Sequence, residues 1–256
     1  MSATVALHHV DEGPRDAPVL VLAGSLGSTV EMWRPQVGPL TARYRVIRID
    51  HRGHGRSPAP PGPYRVADLA ADVLALLDDL GLDRVAWCGL SLGGVVGQHL
   101  ASEHPERISR LTLCCTSAHW PDPSVWEQRI ADVTARGTSS IAAAVVERWF
   151  TPAWAAAHPE IVADAVAQVS GTPDEGYAAC CDALRVWDHR PRLGAITAPT
   201  LVIAGTADPA TPLEPHARTI VAGIPGARLW VLEAAHLATI ERAEQCTALI
   251  AEHSAS

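Results

Sequence analysis

The stretch Arg84-Val85-Ala86-Trp87-Cys88-Gly89-Leu90-Ser91-Leu92-Gly93-Gly94 decides how this chain is read. An apolar, strand-like run leads into Gly-x-Ser-x-Gly, and a helix-like segment from Val95 to His104 follows. In that setting Gly-x-Ser-x-Gly is a nucleophile elbow. A serine hydroxyl is a weak nucleophile near neutral pH. It needs a base to take its proton and donors to hold the developing oxyanion. A sharp strand-to-helix turn lifts Ser91 out of the backbone and aims the N–H groups of the helix start at a reacting carbonyl. Gly89 and Gly93 leave room where a Cβ would clash. The competing reading is an ordinary turn with a chance serine, so the motif needs support from the rest of the chain.

Working outward, Pro18 to Ala23 is a continuous apolar run, as in a strand buried on both faces of a parallel sheet. It ends in Gly24-Ser25-Leu26-Gly27-Ser28, a loop placed where an open sheet collects ligand contacts. By position, the Leu26 N–H is the second oxyanion donor beside that of Leu92; a plain glycine-rich turn is the alternative. Residues 3–10 read as a short alternating strand and Asp11 to Pro14 as a turn. Arg45 to Ile49 is a strand that runs into Asp50-His51-Arg52-Gly53-His54-Gly55-Arg56-Ser57, taken as a structural loop. Val66, Leu69, Val73, Leu74, Leu77 and Leu80 have helical spacing, and Gly81 stops that helix. Ser109 to Cys115 is another buried strand.

Short-linked strands and helices thus alternate to about residue 118, the signature of a doubly wound, mainly parallel α/β sheet. The rhythm then changes. Residues 119–193 contain helix-like stretches and five of the eight tryptophans, with no convincing strand. This predicts a helical lid inserted into a core formed by residues 1–118 and 194–256. Strands resume at 199–204 and 227–232, with helices over 212–222 and 238–252.

Asp208 and His236 each follow one of these late strands. A parallel sheet brings the carboxyl ends of its strands to one edge, so both should meet Ser91 there. His236 would take the Ser91 proton and return it to the leaving group. Asp208 would fix the imidazole tautomer and stabilise its cation. Either residue alone could cap a loop; the three in this order make a catalytic triad.

Composition bounds the alternatives. With 256 residues, 48% apolar, the chain can bury a full core. A net charge of −8 argues against a general affinity for nucleic acid or an anionic membrane surface. No apolar run reaches the roughly 18 residues of a membrane span, and the start lacks a secretory pattern. The six cysteines have neither disulfide-framework nor zinc spacing, and fit buried thiols in a reducing cytoplasm. The scattered histidines lack a carboxylate or cysteine set around them, so no metal is expected.

With elbow, lid and late-strand loops in place, the chain resembles the α/β-hydrolase superfamily over nearly its whole length. Within it the closest likeness is to the 3-oxoadipate enol-lactonases of aromatic catabolism, the β-ketoadipate pathway. That likeness rests on Ser25-Leu26-Gly27 with Met32-Trp33, Gly89 to Gln98, His104-Pro105-Glu106-Arg107, Trp126…Arg129-Ile130, Arg148-Trp149-Phe150-Thr151-Pro152, Gly176 to Leu184, and Ile203-Ala204-Gly205…Asp208-Pro209-Ala210-Thr211-Pro212. The sequence departs from the family pattern at Gly24, Leu92 and Thr239.

The resemblance implies hydrolysis of a small anionic enol-lactone through an acyl-enzyme on Ser91, with no cofactor. The substrate carboxylate needs a cation in a net acidic protein. Arg129 is the first candidate and Arg148 the second, with Ser25, Trp126 and Trp149 lining the pocket. Another esterase, a C–C bond hydrolase or a perhydrolase on the same scaffold stays open, as does a hydrolase-like binding protein without catalysis. A homo-oligomer also stays open.

Overall fold

The computed structural model describes residues 3–255. In chain order the elements are β1 (His9–Glu12), β2 (Val19–Ala23), α1 (Arg34–Thr41), β3 (Arg45–Ile49), α2 (Val66–Asp79), β4 (Val85–Leu90), α3 (Leu92–Glu103) and β5 (Ile108–Cys114). There follow α4 (Ser124–Arg136), α5 (Ala142–Val146), α6 (Pro152–Ala157), α7 (Pro159–Ser170) and α8 (Asp174–Arg185). The chain closes with β6 (Thr200–Gly205), α9 (Arg218–Gly223), β7 (Arg228–Leu232), α10 (Ala238–Glu241) and α11 (Ala243–Ser254).

The seven strands form one sheet in the order β1-β3-β2-β4-β5-β6-β7. Only the β1–β3 pairing is antiparallel. This is the mainly parallel, doubly wound α/β sheet predicted above. β4 sits at its centre with every residue buried, as a strand covered by helices on both faces must be. Trp87 on that strand is fully buried, and its indole N–H donates to the Gly93 carbonyl at 3.0 Å. Truncating a tryptophan so placed costs about 3–5 kcal/mol, so the strand under the elbow is firmly anchored.

Two elements of the first half differ from the sequence reading. The first strand is His9–Glu12 rather than residues 3–10. Asp11 and Glu12, read as turn residues, lie in it because they pair across to Arg45 and Arg48 of β3, each with an N–O distance of 2.7 Å. The helix α1 was not foreseen, since Pro35, Gly38 and Pro39 all argue against one. Pro35 falls in the first turn, where its missing N–H costs nothing, and Leu40 and Gln36 face inward.

Between β5 and β6 the segment runs as α4 to α8, and an isolated antiparallel bridge, His119 to Asp188, ties its two ends together. The helical run between α4 and α6 is broken, as are the helices foreseen over 212–222 and 238–252. A 3-10 turn precedes α5, an irregular turn precedes α9, and Arg242 leaves helical geometry between α10 and α11. Among the described residues no helix is long and apolar enough to cross a membrane.

Candidate active site

The elbow is a forced turn. Ser91 has φ 53° and ψ −110°, a left-handed conformation that few non-glycine residues adopt. Its N–H donates to the Cys114 carbonyl at 3.0 Å, and its own carbonyl accepts the Thr116 hydroxyl at 2.7 Å. The flanking glycines are explained by contact. A Cβ on Gly89 would lie 2.1 Å from the Gly93 carbonyl oxygen, and one on Gly93 would lie 2.2 Å from that of Ala23. A Cβ on Gly94 would run into the Thr116 side chain. The strain at Ser91 is held by the buried strands on either side, β2 and β5.

Asp208 and His236 come together at the same sheet edge. His236 Nδ1 lies 2.9 Å from Asp208 Oδ2, and both side chains are buried. The Asp208 carboxylate is fully satisfied. Oδ1 accepts the N–H groups of Ala210 and Thr211, and Oδ2 accepts the Thr211 hydroxyl at 2.7 Å. Burial pushes this carboxyl up, but the facing His236 and the Thr211 donors outweigh it and bring its pKa down to about 2. The carboxylate is therefore ionised throughout the physiological range.

Ser91 and His236 both line one cavity of about 170 Å³. Among the described residues the Ser91 hydroxyl makes no hydrogen bond in this conformation, an openness common before a substrate arrives. A serine, an imidazole and an ionised carboxylate in this order can pass a proton from the nucleophile and back to a leaving group.

The cavity brings the other predicted residues together as well. Ser25, Leu26, Trp126, Arg129, Arg148 and Trp149 all line it, joined by Trp120, Pro209 and Thr211. Leu92 follows Ser91 at the first position of α3, buried, where helix N–H groups have no intrahelical acceptor. The neighbouring Gly93 N–H is already used by the Gly24 carbonyl at 2.9 Å. On the Leu26 loop, Gly27 N–H donates to His54 Nε2 at 2.8 Å and Val30 N–H to Asp50 Oδ1 at 2.7 Å. The loop 50–57 thus supports the loop that carries Leu26. Burial pushes His54 down, which keeps its ring neutral and able to accept.

Two cations share the cavity wall. Arg129 and Arg148 are both half-buried. The Arg129 guanidinium sits 5.1 Å from the centre of the Trp126 ring, and its Nη1 donates to the Tyr177 hydroxyl at 3.4 Å. Burial and the charge of Arg129 push Arg148 down. Two guanidiniums that repel one another across a small cavity make a receptor for an anion.

One residue escaped the sequence reading. Glu241, at the end of α10, is 5% exposed, and its carboxylate accepts the N–H of Ala235 at 2.9 Å. The same carboxylate accepts the N–H and the hydroxyl of Thr151. On the other side of His236, the Leu237 N–H donates to the Trp149 carbonyl at 2.9 Å. The residues on either side of His236 are therefore tied to segment 149–151, between α5 and α6. In sequence, Glu241 reads as a solvated helix position beside Arg242, and no motif marks it.

The family model for the alpha/beta hydrolase fold matches residues 17–243. The chain is 40% identical to 3-oxoadipate enol-lactonase 2 of Acinetobacter baylyi over 238 residues, covering 93% of this chain and 89% of that protein. Among solved structures, the enol-lactonase from Burkholderia xenovorans superposes with a TM-score of 0.95 at 41% identity, covering 97% of this chain and 96% of the other. A thermophilic esterase from Thermogutta terrifontis, with malate bound, superposes with a TM-score of 0.90 at 30% identity over 97% and 92% of the two chains.

Proposed function

The chain belongs to the alpha/beta hydrolase family, and we propose that it hydrolyses a small anionic lactone, 3-oxoadipate enol-lactone, through an acyl-enzyme on Ser91. The observation that carries this reading is the cavity itself. Ser91 and His236 share about 170 Å³ with Arg129 and Arg148. That is below the roughly 300–1,000 Å³ of pockets for drug-sized ligands, so the substrate is small. The paired arginines select a carboxylate, and the relatives named as enol-lactonases supply the ring.

The chemistry follows from these residues. Ser91 Oγ attacks the lactone carbonyl while His236 Nε2 takes its proton, and the imidazolium is stabilised by Asp208. The N–H groups of Leu26 and Leu92 hold the oxyanion. Collapse of the tetrahedral adduct breaks the ring C–O bond, and the ring oxygen leaves as an enol. His236 returns the proton, and the enol tautomerises to the ketone. Water, deprotonated by His236, then attacks the acyl-enzyme and frees 3-oxoadipate and Ser91. Arg129 and Arg148 hold the free carboxylate, the indoles of Trp126 and Trp149 pack on the ring, and Ser25 lines the floor.

The six cysteines are free and buried, which fits a reducing cytoplasm. On this reading the enzyme serves aromatic catabolism.

The test is Arg129→Ala assayed on the enol-lactone and on a neutral ester of similar size. Loss of a charge-assisted contact should raise KM for the anionic lactone about tenfold and leave that for the neutral ester within about twofold. Equal effects on both substrates would remove the anion-binding role.

A further inference from the structure

A second, larger cavity adjoins the first at Trp149. It holds about 500 Å³, with the apolar Met32, Ile161, Leu237 and Ile240 within and the exposed Glu31, Arg34, Pro35 and Asp164 at its rim. Trp149 lines both cavities. The remaining contacts between them are close. Ser25 of the first cavity donates its N–H to the sulfur of Met32 in the second, and His236 of the first precedes Leu237 of the second. The Trp149 backbone is fixed by its carbonyl bond to Leu237. Its indole N–H donates to no described residue, so the ring is held by packing alone.

We propose that the Trp149 indole is the partition that sets the largest acyl group this enzyme accepts, shutting its site off from an apolar cleft that an aliphatic acyl tail would otherwise fill. The proposal rests on Ser91 being the nucleophile of an ester-hydrolysing site. The apolar interior suits a hydrocarbon chain and not a second carboxylate, because the charged residues sit on its rim. A small ring with its carboxylate on Arg129 and Arg148 stays in front of the indole. A chain longer than the first cavity meets it end-on.

The experiment uses p-nitrophenyl esters from acetate to octanoate with wild type, Trp149→Ala, and Trp149→Ala combined with Ile161→Trp. Wild type should lose kcat/KM as the chain lengthens. Trp149→Ala should raise the octanoate-to-acetate ratio of kcat/KM by about tenfold or more, the scale on which pocket size discriminates apolar groups. Ile161→Trp refills the cleft from its far side and should reverse that gain. Trp149→Leu, a smaller truncation, carries the same comparison if Trp149→Ala does not fold. An unchanged ratio in a folded variant, or a gain that Ile161→Trp leaves intact, overturns the proposal. Acetate hydrolysis that survives Ser91→Ala would instead overturn the ester-hydrolase reading, so the two failures are distinct.

Discussion

The Glu241 carboxylate accepts the Ala235 N–H at 2.9 Å, one residue before His236, while it also binds Thr151 of the helical insertion. A buried carboxylate between two backbone segments fixes their separation, and here one of the segments carries the imidazole. Glu241→Ala removes both acceptor oxygens and leaves the buried Ala235 N–H without its partner. Leaving a buried N–H unsatisfied costs about 1–3 kcal/mol. The expected outcome is a Tm lower by roughly 5 °C, together with a kcat drop of about tenfold or more and little change in KM. Thermal melts and steady-state kinetics on the same preparation measure both. A lower Tm with kcat unchanged would make Glu241 a structural brace with no hold on His236.

Asp208 gives a pH signature. Its ordinary value is 3.8, and the folded protein holds it at about 2. A carboxylate with a depressed pKa adds stability that is complete above its unfolded value and is lost as pH falls toward the folded one. Denaturant unfolding at pH 5 and pH 3 should therefore show wild type losing about 1 kcal/mol more than Asp208→Asn over that interval. Parallel losses in the two proteins would show that the His236 and Thr211 contacts do not depress the carboxyl.

The elbow glycines and a surface glycine should respond in opposite senses to alanine. Gly89→Ala places a Cβ 2.1 Å from the Gly93 carbonyl oxygen, where backbone must move. A destabilisation above about 4 kcal/mol is expected, in the exceptional range for a point substitution. Gly38 sits in α1 with nothing within 4 Å of a new Cβ. Gly38→Ala should raise Tm slightly, by the roughly 0.5–1 kcal/mol that alanine gains over glycine in a helix. Thermal melts compare the two directly, and a tolerated Gly89→Ala would contradict the packing of the turn.

The residues that were legible in sequence share a property: local geometry restricts what can stand there. Gly89, Gly93 and Gly94 are demanded by contacts under 3 Å, so the motif around Ser91 survives as a pattern. The late-strand loops carry Asp208 and His236 because parallel topology sends strand ends to one edge. Arg129, Arg148, Trp126 and Trp149 were picked out by family likeness, and the cavity does gather them. What was hidden depends on partners far along the chain. Asp11 and Glu12 become strand residues only because Arg45 and Arg48 face them. Glu241 is informative only through Ala235 and Thr151, the latter 90 residues away. The helix α1 contradicts its own proline and glycine content, and is settled by burial of Gln36 and Leu40.

We propose Ser91 as the nucleophile of a lactone-opening reaction. The most direct test follows the loss of the enol-lactone chromophore with wild type and Ser91→Ala at equal concentration and matched Tm. Removing the nucleophile of a triad should lower kcat by about 10⁴-fold or more while the lactone still binds. Turnover by Ser91→Ala at the wild-type rate would contradict it.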